Sequence, residues 1–465
     1  MRLTSVLNLA LGLILSSTLL SPVWAQCAKD SNKTVLNSEE TTEPLNFEEF
    51  KVKFENRMGV SIAESCDGVT FYADKLVLDG VDVNHPDFPK KLQLGYERLM
   101  FKLQAQLVMD LYGRQTVKRI SELMNDDSTN ARAWPEIKKE LDEAKNDQNK
   151  ISKILNKTLD LMDKKLDNEL IKEGIPADKV QKSSLAEKKT IFKDNFSKES
   201  IKNAIGDMAG LVPVHTKIFT GKNSKGEFVT LGIIAVRSAK TITFAQSIAK
   251  KQESGIKGSP NKLKDILPST NEGYLNEIGL RYVYDEDGRP TLISYAQWSV
   301  TAKTDSASRL ERLKEVAQDT ASDLAQSNIT EFAKSSLVIS DTKIVGDISE
   351  DISTRITQFE NTTNIGSEEK IEQISEIISK TIKKATSTAS MQLRGSSELK
   401  KWEAVDPKTQ VVHLGAVRKF SFKELENQNK MDTQLKPNQA GGSSQDKNLP
   451  SVNRDSKPVN KASDF

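Results

Sequence analysis

Between residues 90 and 124, apolar side chains recur every three or four positions, among them Leu92, Tyr96, Leu99, Leu103, Leu107, Leu111 and Met124. That spacing places them on one face of a helix, and a helix so long and one-sided needs a second layer to cover its stripe. A break is expected near Gly113. Residues 134–172 repeat the pattern through Ile137, Leu141, Ile151, Ile154, Leu155, Leu159, Met162 and Leu166, and then reach Gly174, Ile175 and Pro176. A Gly followed closely by Pro ends a helix. Residues 89–205 are therefore read as a helical arm, a hairpin of helices or a short coiled coil.

The second layer comes from hairpins. Residues 211–220 and 228–236 are two apolar or alternating runs around a Gly, Lys, Asn and Ser turn cluster, which is a β-hairpin signal. Residues 279–284 and 290–300 flank a turn at Asp285, Glu286, Asp287 and Gly288, and residues 391–404 and 411–422 flank one at Asp406, Pro407 and Lys408. Residues 69–83 alternate upstream and turn at Asp79 and Gly80, after a short helix and strand within 47–62. Helices are expected over 241–251, 305–332 and 347–386, a short strand over 336–340, and a polar linker from 252 to about 269. Setting Gly232 against Gly415 aligns Val229 with Val412, Leu231 with Leu414, Ile234 with Val417 and Ser238 with Ser421. One unit occurring twice explains that match, with glycine where a neighbour crosses the sheet closely. The expected fold is α+β, with paired hairpin-plus-helix units at 206–272 and 273–423 behind the long N-terminal arm. Residues 424–465, rich in Asn, Gln, Ser and Lys, hold too little apolar surface to fold and are read as a disordered tail.

The first 25 residues have a separate role. Arg2 precedes a largely apolar run over 6–20 and then Ser21, Pro22, Val23, Trp24 and Ala25, the three parts of a secretory signal peptide. The run is shorter than a bilayer span requires, and no later segment reaches that length, so no integral membrane segment is expected. Cleavage after Ala25 delivers a periplasmic or secreted protein that begins at Gln26. Lipidation of Cys27 is not expected, because Gln26 stands where a small residue is needed. Cys27 and Cys66 are the only cysteines; in an oxidising compartment they are expected to form a disulfide that pins the segment 26–88.

Several functions are argued against. Lys and Arg total 67 against 65 for Asp and Glu, which is no basic footprint for nucleic acid and no stripe for anionic lipid. His85, His215 and His413 stand apart, with no HExxH, so no metal is expected. The acidic turn at Asp285 lacks the remaining ligands of a calcium loop and reads as a hairpin turn in which Gly288 takes a positive φ. SxxK occurs at Ser254–Lys257 and Ser397–Lys400 without a KTG, GxSxG is missing, and no phosphate or dinucleotide loop calls for a cofactor. A carboxylate pair is set in space rather than in sequence, so a hydrolase of cell wall or polysaccharide stays as the alternative reading.

The most distinctive residues lie between 282 and 300. Asp285, Gly288 and Arg289 close the hairpin; Tyr295, Gln297 and Ser299 share one face of the following strand, and Ala296 and Trp298 the other. Trp298 is read as a core anchor rather than a ligand platform. A hairpin of the form Tyr-Asp-x-x-Gly-Arg-Pro, a strand ending Gln-Trp-Ser, and a helix carrying Ala317, Ala321, Ala325 and Ala333 resemble an uncharacterised family of exported bacterial proteins. More distantly, they are similar to the N-terminal domain of flagellar assembly protein T and to related outer-membrane lipoproteins. The resemblance implies an α+β domain in envelope assembly or adhesion, with no active site to carry over. The expectation is an exported, non-enzymatic protein that binds or scaffolds another envelope protein, with self-association through the arm as a further possibility.

Overall fold

The computed structural model describes residues 46–435, apart from 67, 79–86, 126–131, 145–146, 163–164, 224–225, 301–305, 361–366, 389–393 and 407–410. Two four-stranded antiparallel sheets carry the helices. The first contains β1 (Ser65–Cys66), β2 (Val69–Leu78), β3 (Val212–Asn223) and β4 (Gly226–Arg237) in the order β1-β2-β4-β3. The second contains β5 (Gly279–Tyr284), β6 (Pro290–Ser299), β7 (Ser396–Val405) and β8 (Val412–Ser421) in the order β5-β6-β8-β7. In each, a hairpin runs into helices and a second hairpin returns so that its later strand lies beside the second strand of the first. Gly232 stands opposite Lys75 and Lys217, and Gly415 opposite Gln297 and Trp402, so the two glycines occupy equivalent places on the two central strands. The likeness of the first and third hairpins is thus the visible part of a larger duplication.

One face of each sheet is covered by the segment that precedes it. Phe47, Phe50 and Phe54 of α1 (Phe47–Met58) pack on Phe71, Phe219, Ile234 and Val236. Tyr274, in a 3-10 turn at Glu272–Asn276 after the short α9 (Leu263–Ile266), packs on Ile293, Tyr295, Trp402 and Val417. The opposite faces take the long helices: α2 (Phe88–Asn125) and α7 (Leu185–Asp207) in the first unit, α10 (Ala307–Ser340) in the second.

The units then exchange helices. Val345, Ile348 and Ile352 of α11 (Thr342–Glu360), with Ile378 and Ile382 of α12 (Ser367–Thr388), are buried in the first core with Leu99, Leu103, Ile201 and Ile205. In return, Phe244 and Ile248 of α8 (Ala239–Lys250) are buried with Leu280, Leu292, Ile329 and Phe420 of the second. Only the far half of the arm has a core of its own. There α3 (Trp134–Ala144), α4 (Gln148–Leu161), α5 (Leu166–Lys172) and α6 (Ala177–Lys182) close around Ile120, Met124, Leu141, Leu155, Phe192 and Phe196. Gly174 at φ 86 ends α5 as expected: its N–H bonds to the Ile171 carbonyl at 3.0 Å and the next N–H to the Leu170 carbonyl at 2.9 Å, the left-handed cap that Gly permits.

Some expectations need correction. α2 runs through Gly113 unbroken, because the cost of one helical Gly, about 1 kcal/mol, is small beside the burial of Leu107, Leu111 and Ile120 around it. Residues 336–340 are not a strand but the last turns of α10, where Val338 and Ile339 join the first core and Ser336 Oγ donates to the Phe332 carbonyl at 2.8 Å. Tertiary packing overrides their β preference. The tail does not begin at 424: α13 (Phe422–Leu435) is helical and buries Phe422 and Leu425, while residues 436–465 lie outside the described residues. No disulfide is present among the described residues. Cys27 and the leader lie outside them, and of Cys66 only the backbone, paired with Val69, is described. No helix among the described residues is long and apolar enough to cross a membrane.

Candidate functional site

Asp285, Gly288 and Arg289 close the β5–β6 hairpin and hold something else against it. The Asp285 N–H bonds to the Arg289 carbonyl at 2.9 Å, and the Gly288 N–H to the Asp285 carbonyl at 3.0 Å. Asp285 Oδ1 accepts from the backbone N–H of Asp287 at 2.9 Å and of Arg289 at 2.8 Å. This buried carboxylate is engaged by its own turn. Gly288 has φ +68, and a Cβ there would also stand 2.6 Å from the Gly258 carbonyl oxygen. That contact belongs to residues 252–262, the first part of the linker expected as far as 269, which return over the turn as a strap; the rest of that stretch holds the short helix α9. The Gly258 N–H bonds to the Gly288 carbonyl at 2.9 Å, and the Asn261 N–H to the Asp285 carbonyl at 3.0 Å. Lys257 Nζ reaches the Asp287 carbonyl at 3.3 Å, and Glu253 pairs with Arg289 at 3.4 Å. Gly258 itself lies on the Tyr284 ring, whose atoms a Cβ would meet at 2.4 Å. The motif is therefore a clasp, built from two glycines that fit each other, on the segment joining the two units.

Gln297 and Trp298 lie elsewhere. They sit at the far end of β6, about 26 Å along the strand at roughly 3.3 Å per residue, so the structure does not bring them to the clasp. The Gln297 amide donates to the Leu275 carbonyl at 3.1 Å and ties β6 to the 3-10 turn. Trp298 is half-buried with Leu324 against Ala296, Ala321, Ala325 and Ala416. The alanines let α10 lie close on the sheet, and the indole fills the space beside it.

Sequence reasoning missed the polar groups that cross between units. Arg281 Nη1 donates to the carbonyls of Ile278 and Leu280, and Nη2 to Glu277 at 2.9 Å and to Thr216 Oγ1 on β3. The Leu280 N–H donates to Tyr96 Oη at 2.9 Å, and burial pushes that phenol up to about 12. The Gln93 amide donates to Asn328 Oδ1 at 2.8 Å, and Asn328 to Ser294 Oγ at 3.3 Å. A buried guanidinium or amide survives only when bonded in this way. The one available signal was a polar residue at an apolar spacing, as with Gln93 beside Leu92 and Tyr96.

His215 and His413 remain single strand residues, and His85 lies outside the described residues. Burial lowers the pKa of both, His215 to about 4. Neither ring nitrogen of His413 has a hydrogen-bond partner. Among the described residues, no three His, Cys, Asp or Glu side chains converge to hold a metal ion. The SxxK lysines are engaged elsewhere, Lys257 on the clasp and Lys400 over the Tyr274 ring at 4.6 Å. A cleft of about 200 Å³ beside the clasp carries two ion pairs, Lys423 with Asp287 at 3.1 Å and Lys419 with Glu424 at 2.9 Å. A second cleft, of about 400 Å³ at the arm, is lined by Leu123, Met162, Lys165, Asn168, Ile171 and Lys172 among others. Ile171 on it is 47% exposed, and Leu161 and Leu185 of the same helical cluster are 42% and 43% exposed.

A family model described as a domain of unknown function (DUF6844) matches residues 151–250, from within α4 to the end of α8. Among solved structures, a hypothetical protein from the bacterium Francisella tularensis is similar over 83% of this chain and 94% of that one, with 18% identity and a TM-score of 0.47. No curated protein matches the chain.

Proposed function

We propose that this is an exported, non-enzymatic envelope protein, periplasmic or secreted, that binds or scaffolds another envelope protein. The observation that carries the reading is the distal arm, where half-exposed Ile171 lines a cleft with Leu123 and Met162, and Leu161 and Leu185 are also left partly in water. An exposed apolar side chain in a cleft is a feature that protein-binding surfaces use. The clasp adds support, since the most distinctive motif of the chain is occupied in holding the joining strap against the β5–β6 turn. The apolar run over 6–20 and Ala25 support export. Similarity to the N-terminal domain of flagellar assembly protein T and to outer-membrane lipoproteins is part of the same proposal, supported by the Ala-rich α10 lying on the sheet after its hairpin.

The test is site-specific photocrosslinking in intact cells. A crosslinker in place of Ile171 is expected to trap one discrete envelope protein, and one in place of Val316, still more exposed on α10, to trap none. Absence of an adduct at Ile171, or an adduct only with another copy of this chain, overturns the reading. Recovery of the chain from the cytosol with Met1 retained would overturn export.

A further inference from the structure

His215 on β3 faces the helix that covers the first sheet. Its ring lies 4.7 Å from that of Phe50 and 6.3 Å from that of Phe54, both on α1. Nδ1 is buried without a hydrogen-bond partner. The charges acting on the imidazole are all positive and come from three elements: Arg57 on α1, Lys217 on β3 and Arg281 on β5. β4 faces it with uncharged Ile234, its register neighbour. Glu277, the carboxylate of the adjoining 3-10 turn, is engaged by Arg281 at 2.9 Å, and Glu55 of α1 accepts the Ile62 N–H at 2.8 Å. A proton added to His215 thus meets rings and cations.

The helix is also placed to leave. α1 is 12 residues long, begins at an Asn46 cap and ends at Gly59 with φ 65, and among the described residues no strand precedes it, so it can swing on that glycine. Beneath it lie Phe71, Phe219, Ile234 and Val236.

We propose that α1 is an acid-released cover: protonation of His215 detaches the helix and bares the aromatic face of the first sheet. The sign follows from linkage. The imidazole is held well below its ordinary value of about 6.5 while α1 is docked, mainly by burial, and moves back toward that value when release of α1 exposes the ring and takes Arg57 away, with Lys217 and Arg281 staying in place, so protons favour the open form. Above about pH 6.5 the opening equilibrium is constant, and it rises as pH falls toward 4. With a docked value of about 4 and a released value of about 6–6.5, opening increases about 10- to 30-fold at about pH 5.

Hydrogen exchange of the full mature chain, corrected for the intrinsic pH dependence of exchange, reads this directly. Protection of amides 48–58 is expected to fall about 10- to 30-fold between about pH 7.5 and pH 5, while amides 99–107 of α2 keep theirs. In His215→Phe, which retains a ring and cannot take a proton, the fall is expected to vanish. No fall in the wild type, an equal fall in the variant, or a parallel fall in α2 overturns the proposal. Imidazole NMR of the wild type needs no variant: a His215 titration midpoint near 4 is expected, and one near 6.5 overturns the proposal on its own.

Discussion

Gly415 offers a sharp test of the second sheet. It lies on β8 directly opposite Trp402, and a Cβ there would stand 2.0 Å from Cε2 and 2.1 Å from Cζ2 of the indole. Carbon atoms pack at about 3.5 Å or more, so the ring has to retreat by roughly 1.5 Å. Its exit is blocked, because Trp402 is only 4% exposed and stacks on Tyr274 at 5.6 Å and 22°. Gly415→Ala should therefore cost about 3 kcal/mol, the upper end of the overpacking range. Trp402→Leu alone leaves a cavity and should cost about 2–3 kcal/mol. In the double variant the new methyl group occupies vacated space, so the combined loss should fall short of the sum by about 2 kcal/mol or more. The equivalent Gly232→Ala is milder, since its Cβ would meet Phe47 at 2.7 Å on the first residue of α1, a short helix that can shift; about 1 kcal/mol is expected. Urea unfolding followed by far-ultraviolet circular dichroism compares all five proteins. A Gly415→Ala cost below about 0.5 kcal/mol, or strict additivity with Trp402→Leu, refutes the reasoning.

Gly258→Ala drives a methyl group into the Tyr284 ring and should release the strap, seen as tryptic cleavage at Lys257 or Lys262 at least about tenfold faster than in the wild type. An unchanged rate would remove the clasp. Arg281→Met leaves Glu277, Thr216 and two carbonyls without their donor and should cost about 2–4 kcal/mol in the same urea assay, against about 1 kcal/mol for Thr216→Val. His413 is buried neutral, its pKa lowered by desolvation against a weaker opposing pull from Asp406. Its share of stability is therefore complete above about pH 6.5 and lost as pH falls below. His413→Leu should flatten the dependence of Tm on pH in that acidic range. Separate chains spanning 46–250 and 263–435 should each fail to give cooperative unfolding, whereas a full chain nicked within the strap should still migrate as one species; independent folding of either piece counts against the exchange of helices.

Local patterns were the legible part. The periodicity of α2, the Gly174 cap and the turn at Asp285 depend on residues within a few positions of each other, and each was readable from spacing alone. The partner of β2 was not, because it is β4, some 150 residues later by register, and nothing in an alternating strand names its neighbour. Residues 336–340 read as a strand because Leu337, Val338, Ile339 and the flanking serines suit a pleated surface as well as a helix; only the first core, which takes Val338 and Ile339, decides between them. At the clasp, Gly288 was legible as a turn glycine from its neighbours. Gly258 was not legible as its counterpart, since a glycine in a polar stretch reads as flexibility until the Tyr284 ring is seen against it. Arg281 carries no motif at all, and its role comes from β3 arriving beside β5.

The exchange of helices limits what either unit can be by itself. Five aliphatic side chains of α11 and α12 and two residues of α8 are buried in the core of the unit they do not belong to by sequence order. At about 1.5–3 kcal/mol each, their burial contributes on the order of 10–20 kcal/mol, as much as the whole net stability of an ordinary domain, about 5–15 kcal/mol. Of that, about 8–15 kcal/mol falls to the first core and about 3–6 kcal/mol to the second, so each half gives up much of an ordinary domain's net stability on losing the other, the two sheets make one cooperative body, and the strap between them runs across an interface already closed. Viewed this way, the match to residues 151–250 covers no single domain. It runs from the arm cluster through the β3–β4 hairpin to α8, whose Phe244 and Ile248 are buried in the second core.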